Sequence, residues 1–326
     1  MNHTRRDLCK LALAALPAAL STTPLFAAAV SSKFGGVQVG INAPYSYHNL
    51  PDGADDVLGY VVKNNINALE LRSQPVEGSL GAPKAAPRGV GEVLAPGKTP
   101  RTPEQEAIEK SAIEVLKKWR LSRSSGDFKA FRKKYEDAGV KIQIVKFDGI
   151  SDASDDVVDY CFQMAKGLGA NAISCEIPVS KTKRIGAFAA KHQIMVGYHG
   201  HGDLANPEAF GRLGAWEQAF WYSKYNGANV DIGHFFASNG FSPAEWIKEN
   251  HTRVTHVHLK DRKAKMGAGM PWGEGDTPLK EILLLMKKEK YTFQATIELE
   301  YPVPAGSTVL AEIDKCVAYC KQTLEG

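Results

Sequence analysis

Residues Val254 to Asp261 read V-T-H-V-H-L-K-D. In the two-residue period of a β-strand, His256, His258 and Lys260 share one face while Val257 and Leu259 take the other. Two imidazoles and an ammonium on one face of a core strand cost folding free energy unless something compensates them. A divalent metal or a polar substrate is the simplest partner. The pattern recurs: Tyr198-His199-Gly200-His201, Asp231-Ile232-Gly233-His234 and Glu298-Leu299-Glu300 each close another apolar run, so five of the nine histidines (199, 201, 234, 256, 258) fall at three strand ends. Asp, Glu and His without cysteine make an oxygen and nitrogen site suited to Mn, Mg, Co or Zn. Such a site with an open position can chelate two adjacent substrate oxygens and polarise a carbonyl. A further carboxylate at the same place, Glu176 beside Glu298, can then take a proton from the neighbouring carbon. The plainer alternative for each carboxylate is an ion pair with Lys146, Lys260 or Arg72.

The elements that must position these residues alternate regularly. Apolar runs at 37–42, 67–72, 141–147, 171–176, 194–199, 228–232, 254–259 and 293–299 read as eight strands. Helical patterns lie between them at 55–64, 103–138, 155–168, 181–192, 207–225, 243–250, 278–290 and 309–324. Eight βα units over about 290 residues predict an α/β fold, a parallel eight-stranded (β/α)8 TIM barrel, with its stability resting on apolar layers below the mouth. No G-x-G-x-x-G follows the first strand and no P-loop occurs, while the ligand-type residues sit at the C-terminal ends of several strands, where a barrel builds its site. The stretch 73–102 is too long for a plain connection and is expected to cover the mouth. A second expected lid, Arg262 to Asp276, carries Trp272 as an apolar wall for a sugar face.

A chain of 326 residues with 44% hydrophobic composition can bury a large core, and a formal charge of +4 without charge runs argues against nucleic acid as a partner. At the N-terminus, Thr4-Arg5-Arg6-Asp7-Leu8 precedes an apolar stretch from Leu11 to Leu20 and the small residues Ala27-Ala28-Ala29. This resembles a twin-arginine export signal. Residues 1–29 are therefore expected to be a removable leader, residues 30–326 the barrel domain, and the location periplasmic. The mature chain then has no membrane span and a charge of about +2, since the leader holds Arg5, Arg6 and Lys10 against Asp7. Cys161, Cys175, Cys316 and Cys320 have no zinc-like spacing and read as buried small hydrophobes, one pairing being left open in an oxidising compartment.

The eight units, Asp231-x-x-His234, His256-x-His258-Leu-Lys-Asp261 and a glutamate seven residues after Tyr291 resemble the xylose isomerase-like barrel superfamily of sugar isomerases and epimerases. The resemblance implies Asp231 and His258 as metal ligands, Glu298 as ligand and catalytic base, and His234 as a substrate contact. Relatives carry a second metal-binding glutamate on the fifth strand, where this chain has His199, so His199 replaces it or Glu176 of the fourth strand does. Lys260 is a further catalytic candidate, and Lys146, Arg72, His201, His256, Glu300 and Trp272 are expected at the substrate. The function implied is a metal-dependent carbohydrate isomerase or epimerase working through an enediolate. Its rivals are a 3-keto-glycoside lyase and a non-catalytic periplasmic sugar- or metal-binding protein. The endonuclease branch would need a basic groove. A homo-oligomer is left open.

Overall fold

Short runs in which nearly every residue is buried, such as Val37–Ala43 and Ala172–Cys175, need cover on both faces. A parallel sheet wrapped by helices supplies it. The computed structural model describes residues 30–83 and 102–326. The leader expected at 1–29 and residues 84–101 of the expected mouth loop lie outside the described residues. Eight parallel strands form the sheet: β1 (Val37–Ala43), β2 (Ala68–Arg72), β3 (Lys141–Lys146), β4 (Ala172–Cys175), β5 (Met195–His199), β6 (Asn226–Asp231), β7 (Val254–Leu259) and β8 (Gln294–Ile297). Each pairs with the next, and β1 also pairs with β8, Val39 lying opposite Ala295, so the sheet closes on itself. This is the expected (β/α)8 TIM barrel, with strand ends within two residues of the sequence reading.

The helices are α1 (Ala54–Lys63), α2 (Ser73–Ser79), α3 (Pro103–Leu121), α4 (Ser125–Asp137), α5 (Asp155–Leu168), α6 (Thr182–His192), α7 (Leu213–Tyr222), α8 (Ile232–Asn239), α9 (Ala244–Asn250), α10 (Leu279–Glu289) and α11 (Val309–Glu325). Three expectations need correction. The helix expected over 103–138 is two, because Ser124 starts a new one: its hydroxyl accepts from the Asp127 amide while Asp127 accepts from the Ser124 amide at 2.8 Å. The stretch expected as loop from Ser73 begins as α2. The helix expected from Pro207 starts only at Leu213, since Asp203 folds the preceding segment into turns by accepting from the amides of Ala205 and Asn206.

Leu69, Leu71, Val230, Val257, Leu259 and Ile297 are fully buried in the apolar core and alternate along their strands with polar residues. Those polar residues meet across the lumen. Glu70 of β2 reaches His256 and His258 of β7, although β8 and β1 stand between those strands. Asn229 of β6 donates to Ser174 of β4 at 3.2 Å. Below its mouth this lumen therefore holds a hydrogen-bonded polar layer where apolar filling was expected. All four described cysteines are buried and unpaired. No described helix is long and apolar enough to cross a membrane.

Candidate active site and metal centre

Asp231, the last residue of β6, also caps α8: its Oδ1 accepts from the His234 amide at 2.8 Å, which turns Oδ2 into the barrel mouth. There Oδ2 lies 3.3 Å from His199 Nε2 and 3.8 Å from His258 Nδ1. Glu298, just past β8, is fixed from two sides. Asn42 of β1 donates to its Oε1 at 2.9 Å, and its Oε2 lies 3.0 Å from His258 Nδ1. One donor atom from each of His199, Asp231, His258 and Glu298 falls within 4.8 Å of the others, and all four residues are buried. Lys260 Nζ, also buried, contacts Asp231 at 2.8 Å, Glu298 at 2.6 Å and Glu300 at 2.7 Å.

Among the described residues two further groupings adjoin this one. Glu176, at the end of β4, lies 3.3 Å from His199 Nδ1, 3.0 Å from His201 Nε2 and in a tight ion pair with Lys146. Its side chain is 40% exposed, so it faces the open mouth. Glu70, His256 and His258 make the other grouping, entirely buried beneath the first.

The charges decide what this arrangement suits. Five carboxylates (Glu70, Glu176, Asp231, Glu298, Glu300) surround two ammonium groups, Lys146 and Lys260. Burial alone would raise the Asp231 and Glu298 carboxyls. Lys260 with His234 and His199 holds Asp231 well below the usual carboxylate range, and His258 with Lys260 does the same for Glu298. Burial pushes His258 down, but Glu298 and Glu70 outweigh it and raise the imidazole to about 10. Burial dominates at His234, lowering it to about 4, and Arg262 accordingly donates to its Nδ1 at 2.6 Å. Two imidazoles and two ionised carboxylates converging in an acidic, water-poor pocket fit a divalent cation. His199, Asp231, His258 and Glu298 would hold it.

The other residues singled out in the sequence scatter more. His201, Glu300 and His234 line the mouth, with His234 Nε2 3.8 Å from Glu300. Arg72 pairs with Asp148 at 2.7 Å and lies over the Tyr45 ring. His256 is fully buried under the cluster, its Nε2 3.3 Å from Glu70, so it does not offer the substrate contact expected of it. Trp272 is also a correction. Its ring meets Tyr319 of α11 edge-on at 5.7 Å, because the expected lid is folded down as a hairpin pairing Asp261–Arg262 with Gly269–Met270. Asp261 anchors that hairpin, accepting from the amides of Gly273 (2.8 Å), Gly275 (3.0 Å) and Thr277 (3.2 Å).

Four participants escaped sequence reading: Asn42, Tyr45, Glu70 and Arg262. Tyr45 donates to Glu300 at 2.6 Å. For Asn42 and Glu70 a signal existed, since a polar residue inside an apolar strand buried on both faces must find a partner in the lumen.

The family model described as a xylose isomerase-like TIM barrel matches residues 159–317. A search of curated proteins finds no match. Among solved structures, the probable 3-DHS dehydratase AsbF from Bacillus anthracis is 14% identical with a TM-score of 0.58, covering 86% of this chain and 98% of its own. The 3-keto-D-glucoside 4-epimerase YcjR from E. coli is 9% identical with a TM-score of 0.56, covering 88% and 99%. The IOLI protein with a bound zinc atom is 13% identical with a TM-score of 0.55, covering 88% and 96%. These likenesses are of fold. By its closed sheet, and by sequence over the segment that carries all four donors of the cluster, the chain has the fold of the xylose isomerase-like TIM barrels.

Proposed function

We propose that this protein is a divalent-metal-dependent carbohydrate isomerase or epimerase that moves a proton on the carbon beside a carbonyl by way of an enediolate. The observation that carries the reading is a pair of carboxylates on opposite walls. Glu298 follows β8 and Glu176 follows β4, four strands apart in a ring of eight, Glu298 being one of the four clustered donors and Glu176 adjoining another, His199. A bound cation supplies Lewis-acid polarisation of the carbonyl and its neighbouring oxygen. Glu298 takes the proton from one face of the carbon, and Glu176, in contact with His201, serves the other. Lys260 sets a positive charge beside Glu298 and Glu300, close to the oxygen on which negative charge develops. His234, Glu300 and Tyr45 orient hydroxyls at the rim. That one structural neighbour is a 3-keto-glucoside epimerase and another holds zinc supports sugar chemistry at such a site. The leader-like residues 1–29 support action in the periplasm after twin-arginine export.

A lyase is the second reading, and one observation favours it. A cavity of about 480 Å³ opens beside Tyr45, lined by His48, Leu50, Arg72, Gln74 and Asp148. A monosaccharide at the cluster leaves this space unused, whereas the leaving group of a 3-keto-glycoside would fill it.

The test is exchange of the substrate's α-proton with deuterated solvent, followed by NMR on Mn-loaded protein with keto-sugars and a 3-keto-glucoside. Wild type exchanges the proton. Glu298→Gln loses exchange by at least about 100-fold while still binding sugar, as expected for a group acting in the transition state. Glu176→Gln keeps exchange but loses the inverted product. Release of aglycone moves the assignment to the lyase. Absence of exchange with every sugar leaves the non-catalytic binding role.

A further inference from the structure

We propose that Glu70 is a positioning residue that fixes the tautomer of His258 and so decides which ring nitrogen is offered to a cation. Glu70 sits mid-strand in β2 and is fully buried. Its Oε2 crosses the lumen to lie 2.5 Å from His258 Nε2, while the other ring nitrogen, Nδ1, faces Glu298 at 3.0 Å and Asp231 at 3.8 Å. A neutral imidazole has one N–H and one lone pair. Both ring nitrogens face carboxylates, which can only accept, so metal-free His258 carries a proton on each; a cation held by the four donors would take the place of the Nδ1 proton, and Glu70 keeps the other on Nε2. Were Glu70 a donor instead, the lone pair would point down the barrel and His258 would present an N–H to the cation.

The surroundings fit this assignment. The Asn229 side-chain amide lies 3.0 Å from the same Nε2 and 3.2 Å from the Ser174 hydroxyl. In the structure Asn229 Nδ2 faces both and its Oδ1 is left without a partner among the described residues; turning the amide over lets Oδ1 accept from both, and amide orientation is set by such networks. The second oxygen of Glu70, Oε1, has no hydrogen-bond partner among the described residues. A buried carboxylate left half satisfied is costly. The two imidazoles are its direct partners, and Lys146 adds a positive charge nearby. His256, the other histidine on Glu70, lies with its Nδ1 2.9 Å from the Thr255 hydroxyl and is not one of the four clustered donors. It therefore serves as an internal control.

The inference rests on the metal reading of the site, and its test is a measurement on binding alone. Zn²⁺ is titrated into metal-free protein against a chromophoric chelator, and the imidazole ¹⁵N resonances of the Zn-loaded protein are recorded. In wild type the His258 signals are those of a metal-bound Nδ1 and a protonated Nε2. Glu70→Gln, of the same shape but able to present an amide N–H, weakens Zn²⁺ binding by about 10- to 100-fold, the range seen when the carboxylate behind a ligating histidine is lost, and shifts the Nε2 signal. His256→Ala changes affinity no more than a few-fold. A wild-type His258 bound through Nε2 overturns the proposal even where Glu70→Gln fails to fold, as does an unchanged affinity in a folded Glu70→Gln. Wild type that takes up no Zn²⁺ at all overturns both this inference and the metal reading on which it rests, and so is distinct from failure of Glu70 alone.

Discussion

Lys260 and any cation at the cluster compete for the same two oxygens, Asp231 Oδ2 and Glu298 Oε2. Removing one partner of a buried ion pair typically costs about 3–5 kcal/mol because the other charge is left stranded. Lys260→Met is therefore expected to lower the melting temperature of metal-free protein, and Mn²⁺ is expected to restore more of it than it adds to wild type. An unaltered metal-free melting point would show that the ammonium is not the counterion of these carboxylates. His258 gives the pH dependence. Its folded value of about 10 lies above the ordinary value of 6.5, so the stability it lends metal-free protein is full below about pH 6.5 and is lost as pH rises through about 10. A metal ligand must be unprotonated, so binding at pH 7 is expected to release close to one proton. Calorimetry in buffers of different ionisation enthalpy measures this, and no release would mean that His258 is already neutral or not a ligand. Sequence made the strand-end residues legible because histidines and carboxylates are rare at such places. Glu70 was not, because in Asn67-Ala68-Leu69-Glu70-Leu71-Arg72 one acidic residue between leucines also reads as the wet side of a half-buried strand.

The loop after β7 shows how an element is held in place by one side chain. Asp261 accepts three amides from the 273–277 segment, and a Cβ on Gly275 would stand 1.9 Å from its Oδ1. Gly275→Ala and Asp261→Ala are both expected to free the hairpin, seen as faster proteolysis within 263–276 while far-UV circular dichroism and metal binding stay near wild type. Protection equal to wild type in both would mean that the anchor lies elsewhere. The final aspartate of the His-x-His-Leu-Lys-Asp motif is thus a loop anchor, a role that no spacing rule distinguishes from a ligand. Helix α8 was missed for a related reason. Asp231 serves both the cluster and the helix N-terminus, and Ile232-Gly233-His234-Phe235-Phe236 lacks the polar face that marks a surface helix.

At the scale of the whole molecule the barrel was legible because eight buried strands alternating with helices leave few other closed solutions. Its lumen was not, because the alternation along one strand does not say which residues meet across the ring. The contacts that build the site are long in sequence: Asn42 to Glu298 spans 256 residues, and Glu70 to His258 spans 188. Strand β1 is paired on one side by β8, so a chain ending before Gln294 leaves β1 and β7 with open edges. Such a truncation is expected to be insoluble and to bind no metal, and a soluble, metal-binding product would show that seven strands suffice. The timing of maturation follows from the same closure. The four donors come from the ends of β5, β6, β7 and β8, so a growing chain cannot assemble them until nearly all of it has been synthesised. Metal choice is then not a property of the donors alone: the compartment in which the ring closes supplies the ions from which the site selects.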